Sequence, residues 1–363
     1  MSEQGGGGGV SQGGSAANAE IKLANTAVSP GAIHGLTIDY TVDMCDMATL
    51  TLNNTPDFKF SQQSNLGDAV EVKLGGKDVF KGEIAGIEPC FEAGGKTKVA
   101  LRCFSMMHRL TRGKFSKTYE KQTFKDIVNS LAGKYSLTAK FEGTLPEGQF
   151  EHIYQHVQTD YDFLLQWAGR VGAEVITNDK ELLVRPKNPR DAKGQIELSW
   201  GDSGPTIEKF APRLTSAGMV QKVIVRAWNP DKHEELEGTC EAGGIASKLG
   251  KDDGGSQAKE KVQNNKDVFY YDSDIPCFSK DECEQIAKAK MEEILLNHIT
   301  GDIVLAGNPD LKAGMVVKIT VNDERFDGFY RLRGVQHRLT HSSSGEGGFK
   351  THCRIQRNAS GAE

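Results

Sequence analysis

The sequence contains no run of about 18 apolar residues, the length needed to cross a bilayer as a helix. Nor does it open with the basic residues and apolar stretch of a signal peptide. Both absences argue against a helical membrane anchor and against signal-peptide export, and a soluble chain made in the cytoplasm is expected. Seven cysteines (Cys45, Cys90, Cys103, Cys240, Cys277, Cys283 and Cys353) form no C-x-x-C pair, and their odd, scattered set does not read as a disulfide framework. Positive charge is not in excess either, because 44 Lys and Arg face 49 Asp and Glu for a net −5. A basic field that would draw nucleic acid or an anionic membrane surface is therefore missing.

What is present is enough apolar matter to fold. With 37% hydrophobic residues over 363 positions, the chain suits two or three domains of ordinary size. Residues 1–20 include Gly5 to Gly9 in a row, then Gly13, Gly14 and Ser15, too little apolar surface to offset the entropy of ordering. A flexible arm is expected there. From 21 to 110 the chain runs in short alternating stretches (36–42, 48–52, 70–74, 79–80, 99–103) separated by turn residues such as Gly75-Gly76 and Gly94-Gly95. Period-two alternation of this kind predicts antiparallel hairpins forming a first β-barrel.

The period then changes. Thr123 with Asp126 has the form of a capping box ahead of Phe124, Ile127, Val128 and Leu131 at helical spacing. A second helix is expected over 159–171, with Thr159 as N-cap, Asp160 and Asp162 favourable to the helix dipole, and Phe163, Leu164, Trp167, Ala168 and Val171 on one stripe. A hairpin at 174–184 completes an α+β insertion over 111–205. Strand character returns at 220–228, followed by a polar, Gly-rich stretch over 229–267 that reads as a mobile excursion. A third helix opens at Ser279 with Glu282 and carries Cys283, Ile286, Ala287, Met291, Ile294 and Leu295 on one face. Strands at 303–305, 315–321, 329–335 and 349–355 follow. The fold class expected is mainly β with α+β insertions and two antiparallel β-barrels per chain. The second barrel takes 206–230 with 301–357, the loop-and-helix insertion takes 231–300, and 358–363 is a tail.

Three segments carry a family resemblance. QHVQTDYDFLLQWAGRVG at 155–172, followed by a hairpin, resembles the signature of the phage late control D family, which includes the N-terminal part of the VgrG spike proteins of type VI secretion. VIVRAWNP at 223–230 and GNPDLKAG at 307–314, with DGFY at 327–330 and VQH at 335–337, repeat the family's pattern in order. The residues that carry the match are Asp160, Phe163, Leu164, Trp167, Gly172, Trp228, Gly314, Gly328 and His337. The resemblance spans roughly 30–357 and implies a structural baseplate hub protein of a contractile tail in a phage, a tailocin or an extracellular injection particle. It implies a homotrimer whose two tube-forming barrels per chain make a pseudo-sixfold ring. That ring would adapt a hexameric tail tube, or tube initiator, to a trimeric spike, with baseplate wedge proteins around it and a channel for DNA or effectors. VgrG proteins continue into an OB-fold and a needle, so a separate spike chain is expected. The place of assembly is the virion tail or a phage-tail-like particle made in bacterial cytoplasm, with no membrane and no sequence-specific nucleic acid as partner.

Candidate chemistry is thin by comparison, and no catalytic, cofactor or metal residue is expected. His337 and His341, with His352 on a possible partner strand, would form a histidine cluster, but the spacing is weak and solvent-facing rings are expected. Cys277 and Cys283, with Cys240 upstream, are read as buried thiols before a metal site. The pairs Asp160 and Asp162, or Glu234 and Glu235, raise a cell-wall hydrolase as the alternative function, although the first pair is better explained as first-turn helix acids. A type VI spike-related protein is a further alternative. Arg102, Arg109, Arg112, Lys114, Lys117, Lys121 and Lys125 face the lone acid Glu120 in their window, a set that suits a solvated or subunit-facing patch better than a grip on DNA phosphates. Phe163 and Trp167, four apart on an amphipathic stripe, are expected in a core.

Overall fold

A computed structural model describes residues 19–361 apart from 56–58, 96, 188–192, 202–206, 230–231, 246, 265, 274–276 and 341–347. Most of the expected arm and His341 therefore lie outside the described residues. In chain order the first part holds β1 (Ala19–Leu23), β2 (Thr26–Ala27), β3 (Ile33–Thr41), β4 (Met47–Asn53), a one-turn α1 (Phe60–Gln63), β5 (Ala69–Leu74), β6 (Lys77–Phe91) and β7 (Thr97–Phe104). Next come β8 (Phe115–Thr123), α2 (Phe124–Lys134), β9 (Thr138–Phe141), β10 (Gln149–Gln158), α3 (Asp160–Arg170), β11 (Ala173–Asn178) and β12 (Glu181–Pro186). Then follow β13 (Lys193–Ser199), β14 (Ile207–Leu214), β15 (Lys222–Asn229), β16 (Glu234–Glu241), β17 (Asp252–Asp253), α4 (Gly254–Lys261), β18 (Phe269–Asp272) and α5 (Lys280–Leu295). The chain closes with β19 (Ile299–Ala306), β20 (Val316–Thr320), β21 (Gly328–Thr340), β22 (Gly348–Arg357) and β23 (Ala359–Ser360).

The molecule is mainly β. Alternation builds the strands as expected: in β3 and β4, Leu36, Ile38, Tyr40, Ala48, Leu50 and Leu52 are buried while Thr37, Asp39, Thr49 and Thr51 lie at the other face. The strands of the two expected barrels are joined in one thirteen-stranded sheet. Its order is β14-β19-β22-β21-β3-β4-β7-β6-β5-β1-β2, with β20 also on β21 and β13 on β20. The join is the antiparallel pair β3–β21, where Tyr40 faces Val335, Ile38 faces His337 and Leu36 faces Leu339. One core cluster runs through both halves, from Ile21 and Leu50 to Tyr330 and Ile355.

A middle unit has its own core. Thr123 and Asp126 form a reciprocal capping box on α2, and the Thr159 hydroxyl accepts the Asp162 N–H at 3.0 Å to cap α3. Phe163 is fully buried and stacks on Tyr119 at 5.3 Å between ring centres, while Trp167 meets Phe150 edge-on at 4.9 Å. The ribbon β8–β10, absent from the sequence reading, supplies Tyr119 and Phe150.

A third unit replaces the expected mobile excursion. β16, β15 and β18 form a sheet whose inward residues, among them Val223, Val225 and Leu236, pack with Cys283, Ile286 and Met291 of α5. Gly238 permits this packing, since a Cβ there would come within 2.2 Å of the backbone at Cys283 and Glu284. The stretch looked like a loop because its other sheet face is polar or aromatic and exposed. In the middle unit, truncation of a fully buried ring leaves a cavity that costs about 3–5 kcal/mol. Phe163→Ala is therefore expected to lower the thermal midpoint by many degrees in a calorimetric scan, and a parent-like midpoint would contradict the core assignment.

Candidate functional site

The main sheet and the middle unit meet at the tight turn between β3 and β4, where the buried polar side chains Asp46, Ser105 and Thr177 come together. Asp43 takes a positive φ there; its amide donates to the Val175 carbonyl, and its carboxylate accepts the Val175 N–H at 3.0 Å. Tyr161 of α3 donates to the Asp43 carbonyl at 2.7 Å. Three residues on, the Asp46 carbonyl accepts the Ser105 N–H and its carboxylate accepts the Thr177 hydroxyl at 3.2 Å. The turn thus plugs into the β11–β12 hairpin by main-chain and side-chain bonds together.

An ionic knot lies alongside. Glu174, buried on β11, pairs with Arg331 of β21 and accepts from the Arg185 Nε at 2.7 Å. Arg185 also donates to the Gly314 carbonyl at 2.7 Å. Gly314 sits at φ +82°, and a Cβ there would stand 2.5 Å from the Arg185 guanidinium. Only glycine fits both demands. Burial pulls the Arg331 guanidinium down to about 10, still well above neutrality, so Arg331 keeps its charge.

The other residues of the resemblance are spread over the fold. His337 is 1% exposed, which corrects the expectation of a solvent-facing ring. Its Nε2 lies 3.1 Å from the Leu311 carbonyl, which can only accept, so Nε2 carries the proton and Nδ1 accepts from the Thr351 hydroxyl at 3.0 Å. Thr351 in turn accepts the Asn308 N–H at 2.9 Å. This chain ties the 307–314 loop to β21 and β22, and burial pushes the His337 ring down to about 4, holding it neutral. His352 sits on β22 opposite Gln336, so its ring does not join that network.

Asp160 is likewise committed, accepting from Lys134 at 2.6 Å, Tyr135 at 2.7 Å and Gln155 at 2.9 Å. Burial raises its carboxyl, but these three donors outweigh it and hold it below the usual carboxylate range. Leu164 is buried beside it on α3. Gly172, at φ +69°, lets the middle unit approach Ala289 of α5, and Arg170 pairs there with Glu282 at 2.5 Å. Gly328 makes room for Arg357, a fully buried guanidinium held by the carbonyls of Leu249, Asp327 and Gly361. Trp228 alone stands out at 60% exposure.

Of the remaining candidates, Cys277 and Cys283 are buried with their thiols hydrogen-bonded to each other. Among the described residues, no group of three or more His, Cys, Asp or Glu is placed to hold a metal. Three cations of the basic window are paired: Arg102 with Glu88, Arg109 with Glu83, and Lys125 with Glu147.

A cavity of about 370 Å³ opens beside the turn, lined in part by Tyr40, Asp46, Phe80, Thr177 and Lys312. The Tyr40 hydroxyl is buried in it without a hydrogen-bond partner among the described residues. Burial pushes the Asp46 carboxyl up to about 7, against the opposing pull of Thr177 and Lys312. No sequence signal marks this site, since neither residue lies in a motif.

A family model described as the Alg8 N-terminal domain matches residues 15–341. The chain belongs to the Alg8 N-terminal domain family. No curated protein matches the sequence. Among solved structures, the tail protein from Neisseria meningitidis MC58 aligns with a TM-score of 0.71 at 15% identity, over 94% of this chain and 97% of that one. The 43 kDa tail protein of prophage MuSo2 from Shewanella oneidensis aligns at 0.70 and 11%, over 94% and 98%. The E. coli c3393 protein, a component of the type VI secretion system, aligns at 0.59 and 11%, over 93% and 76%. This Alg8 N-terminal domain chain thus shares the fold of phage tail proteins along nearly its whole length.

Asp46 gives the junction a pH dependence whose sign follows from proton linkage. The folded carboxyl at about 7 holds its proton more tightly than the unfolded one at 3.8. Its contribution to stability is therefore complete below about pH 4 and is lost as pH rises through 7. Asp46→Asn removes that loss, so the variant's thermal midpoint minus the parent's is expected to grow from pH 4 to pH 8. A difference that stays flat over this range would contradict the assignment.

Proposed function

We propose that this chain is a structural ring subunit at the baseplate hub of a contractile tail, a homotrimeric adaptor between a hexameric tail tube and a trimeric spike. The observation that carries the reading is the fold match over 94% of the chain to two phage tail proteins, each covered almost end to end. The join of two comparable strand sets in one sheet supports it further. Three copies would present six such sets, the number a hexameric tube asks for, while keeping the threefold order of a spike. Under this reading the two sets act as two tube-forming barrels around a channel for DNA or effectors, with baseplate wedge proteins outside. The likeness to the type VI component of E. coli favours a spike-related protein as the second reading.

The role proposed is scaffolding without hydrolysis. Asp160 is spent on Lys134, Tyr135 and Gln155, and Asp162 on the cap of α3. Glu234 and Glu235 are exposed and lie beside Lys232 and Arg226. Asp160 holds its proton less tightly than a free carboxyl, the reverse of what a general acid near neutrality requires.

Light scattering of the purified chain at micromolar concentration is expected to give three times the chain mass, and a larger mass once its spike partner is added. A monomer under both conditions would contradict the hub. Zymography on cell walls is expected to show no clearing. Clearing that disappears on Asp160→Asn or Glu235→Gln would instead establish the hydrolase alternative.

A further inference from the structure

Two exposed faces are unexplained by the single chain. The first is the outer face of the β16-β15-β18 sheet, where Trp228 and Tyr271 are 60% exposed and Phe269 is 41% exposed. Cross-strand register puts them on one face, since Phe269 lies opposite Lys222 and Tyr271 opposite Ile224. On the same face the register sets Glu235, Glu237 and Glu241 against Trp228, Arg226 and Lys222. Arg226 is shared by Glu237 at 2.8 Å and Glu235 at 3.6 Å, and Glu241 forms no ion pair among the described residues. The face is therefore aromatic with an acidic margin.

The second face has the opposite character. Of the basic window, Arg112, Lys114, Lys117 and Lys121 form no ion pair among the described residues and are exposed. Lys117 lies opposite the buried Gln155 and leans 4.4 Å over the Tyr119 ring, whereas Tyr154, 58% exposed, lies opposite Thr118 on the other side of the ribbon. An exposed aromatic sheet face marks a surface that a partner covers, and its acidic margin suits a cationic segment.

We propose that the aromatic face of one copy binds the cationic segment 112–121 and its ribbon on a second copy of this chain, head to tail. Each copy uses both faces, so the contact propagates around an axis and closes into a ring when the rotation allows it. Trp228, Phe269 and Tyr271 offer flat π-faces to the lysine and arginine heads of the neighbour, and Glu237 and Glu241 meet the same heads at the margin. The inference rests on the hub reading, in which copies of this chain form a ring, and it names the surfaces through which they do so.

The test is charge reversal read by sedimentation or mass photometry over a concentration series. Glu237→Lys with Glu241→Lys, and separately Lys117→Glu with Lys121→Glu, are each expected to weaken association by about tenfold or more. All these side chains are exposed, so melting temperatures are expected to stay near the parent's. The variant carrying all four reversals is expected to regain part of the association that either pair loses, because the exchanged charges attract again at the margin while the contacts to the aromatic rings stay lost. If the parent assembles and both pairs of reversals assemble as well as it does, the contact lies elsewhere while the hub reading stands. Loss on the lysine side alone, with the acidic side indifferent, would set segment 112–121 against a different surface of the second copy and overturn this contact. A parent that stays monomeric even with its spike partner overturns both readings together.

Discussion

Everything in this molecule depends on the pairing of β3 with β21. These strands are separated by almost the whole chain, yet they exchange backbone hydrogen bonds from Gly35 opposite Thr340 to Thr41 opposite Gly334. Without that ladder, residues 19–104 and 299–357 would be two open sheets, each with a bare central edge of the kind that pairs with anything available. With it, they become one sheet over one core, and the intervening residues are forced to leave and return on the same side. Contacts of such long sequence separation are entropically slow to form, so the joined sheet is expected to assemble late in folding.

The second constraint is how the middle unit is held against that sheet. Burying Glu174 between two arginines is not a cheap way to gain stability, since desolvation offsets most of the attraction. Its effect is positional: the carboxylate on β11, the guanidinium on β21 and the Gly314 carbonyl admit one docking geometry. The His337–Thr351 relay does the same for the 307–314 loop. Asp160 pins the middle unit from within, while Gly314, Gly328 and His337 sit at three separate joints. Asp46 is the exception, a carboxyl left near its titration point inside the joint, so the same turn that locks the units also responds to pH.

Much of this was legible in the residues. Capping at Thr123, Thr159 and Ser279 located the helices to within a residue or so, because a cap is a local interaction that needs only the next turn. The alternating runs of β3, β4, β5, β7, β21 and β22 were equally plain. The ribbon β8–β10 was not, since Tyr119 alone of β8 is buried, which leaves no apolar period to read. Nor were the parallel pairs β9–β12, β13–β20 and β15–β18, whose partners no turn connects. His337 was misread because its burial depends on Thr351 and the Leu311 carbonyl, both invisible to spacing. The cavity at Tyr40 and Asp46 and the paired thiols of Cys277 and Cys283 exist only once the units are folded together.

The most direct measurement is an electron-microscopy reconstruction of the assembled protein with its tube and spike. The expected map shows a closed threefold ring in which each copy contributes two strand sets to a near-sixfold wall, with the middle and third units arranged around it. A map with this chain as a single copy, or on the periphery of the tail away from the tube–spike axis, would contradict the account.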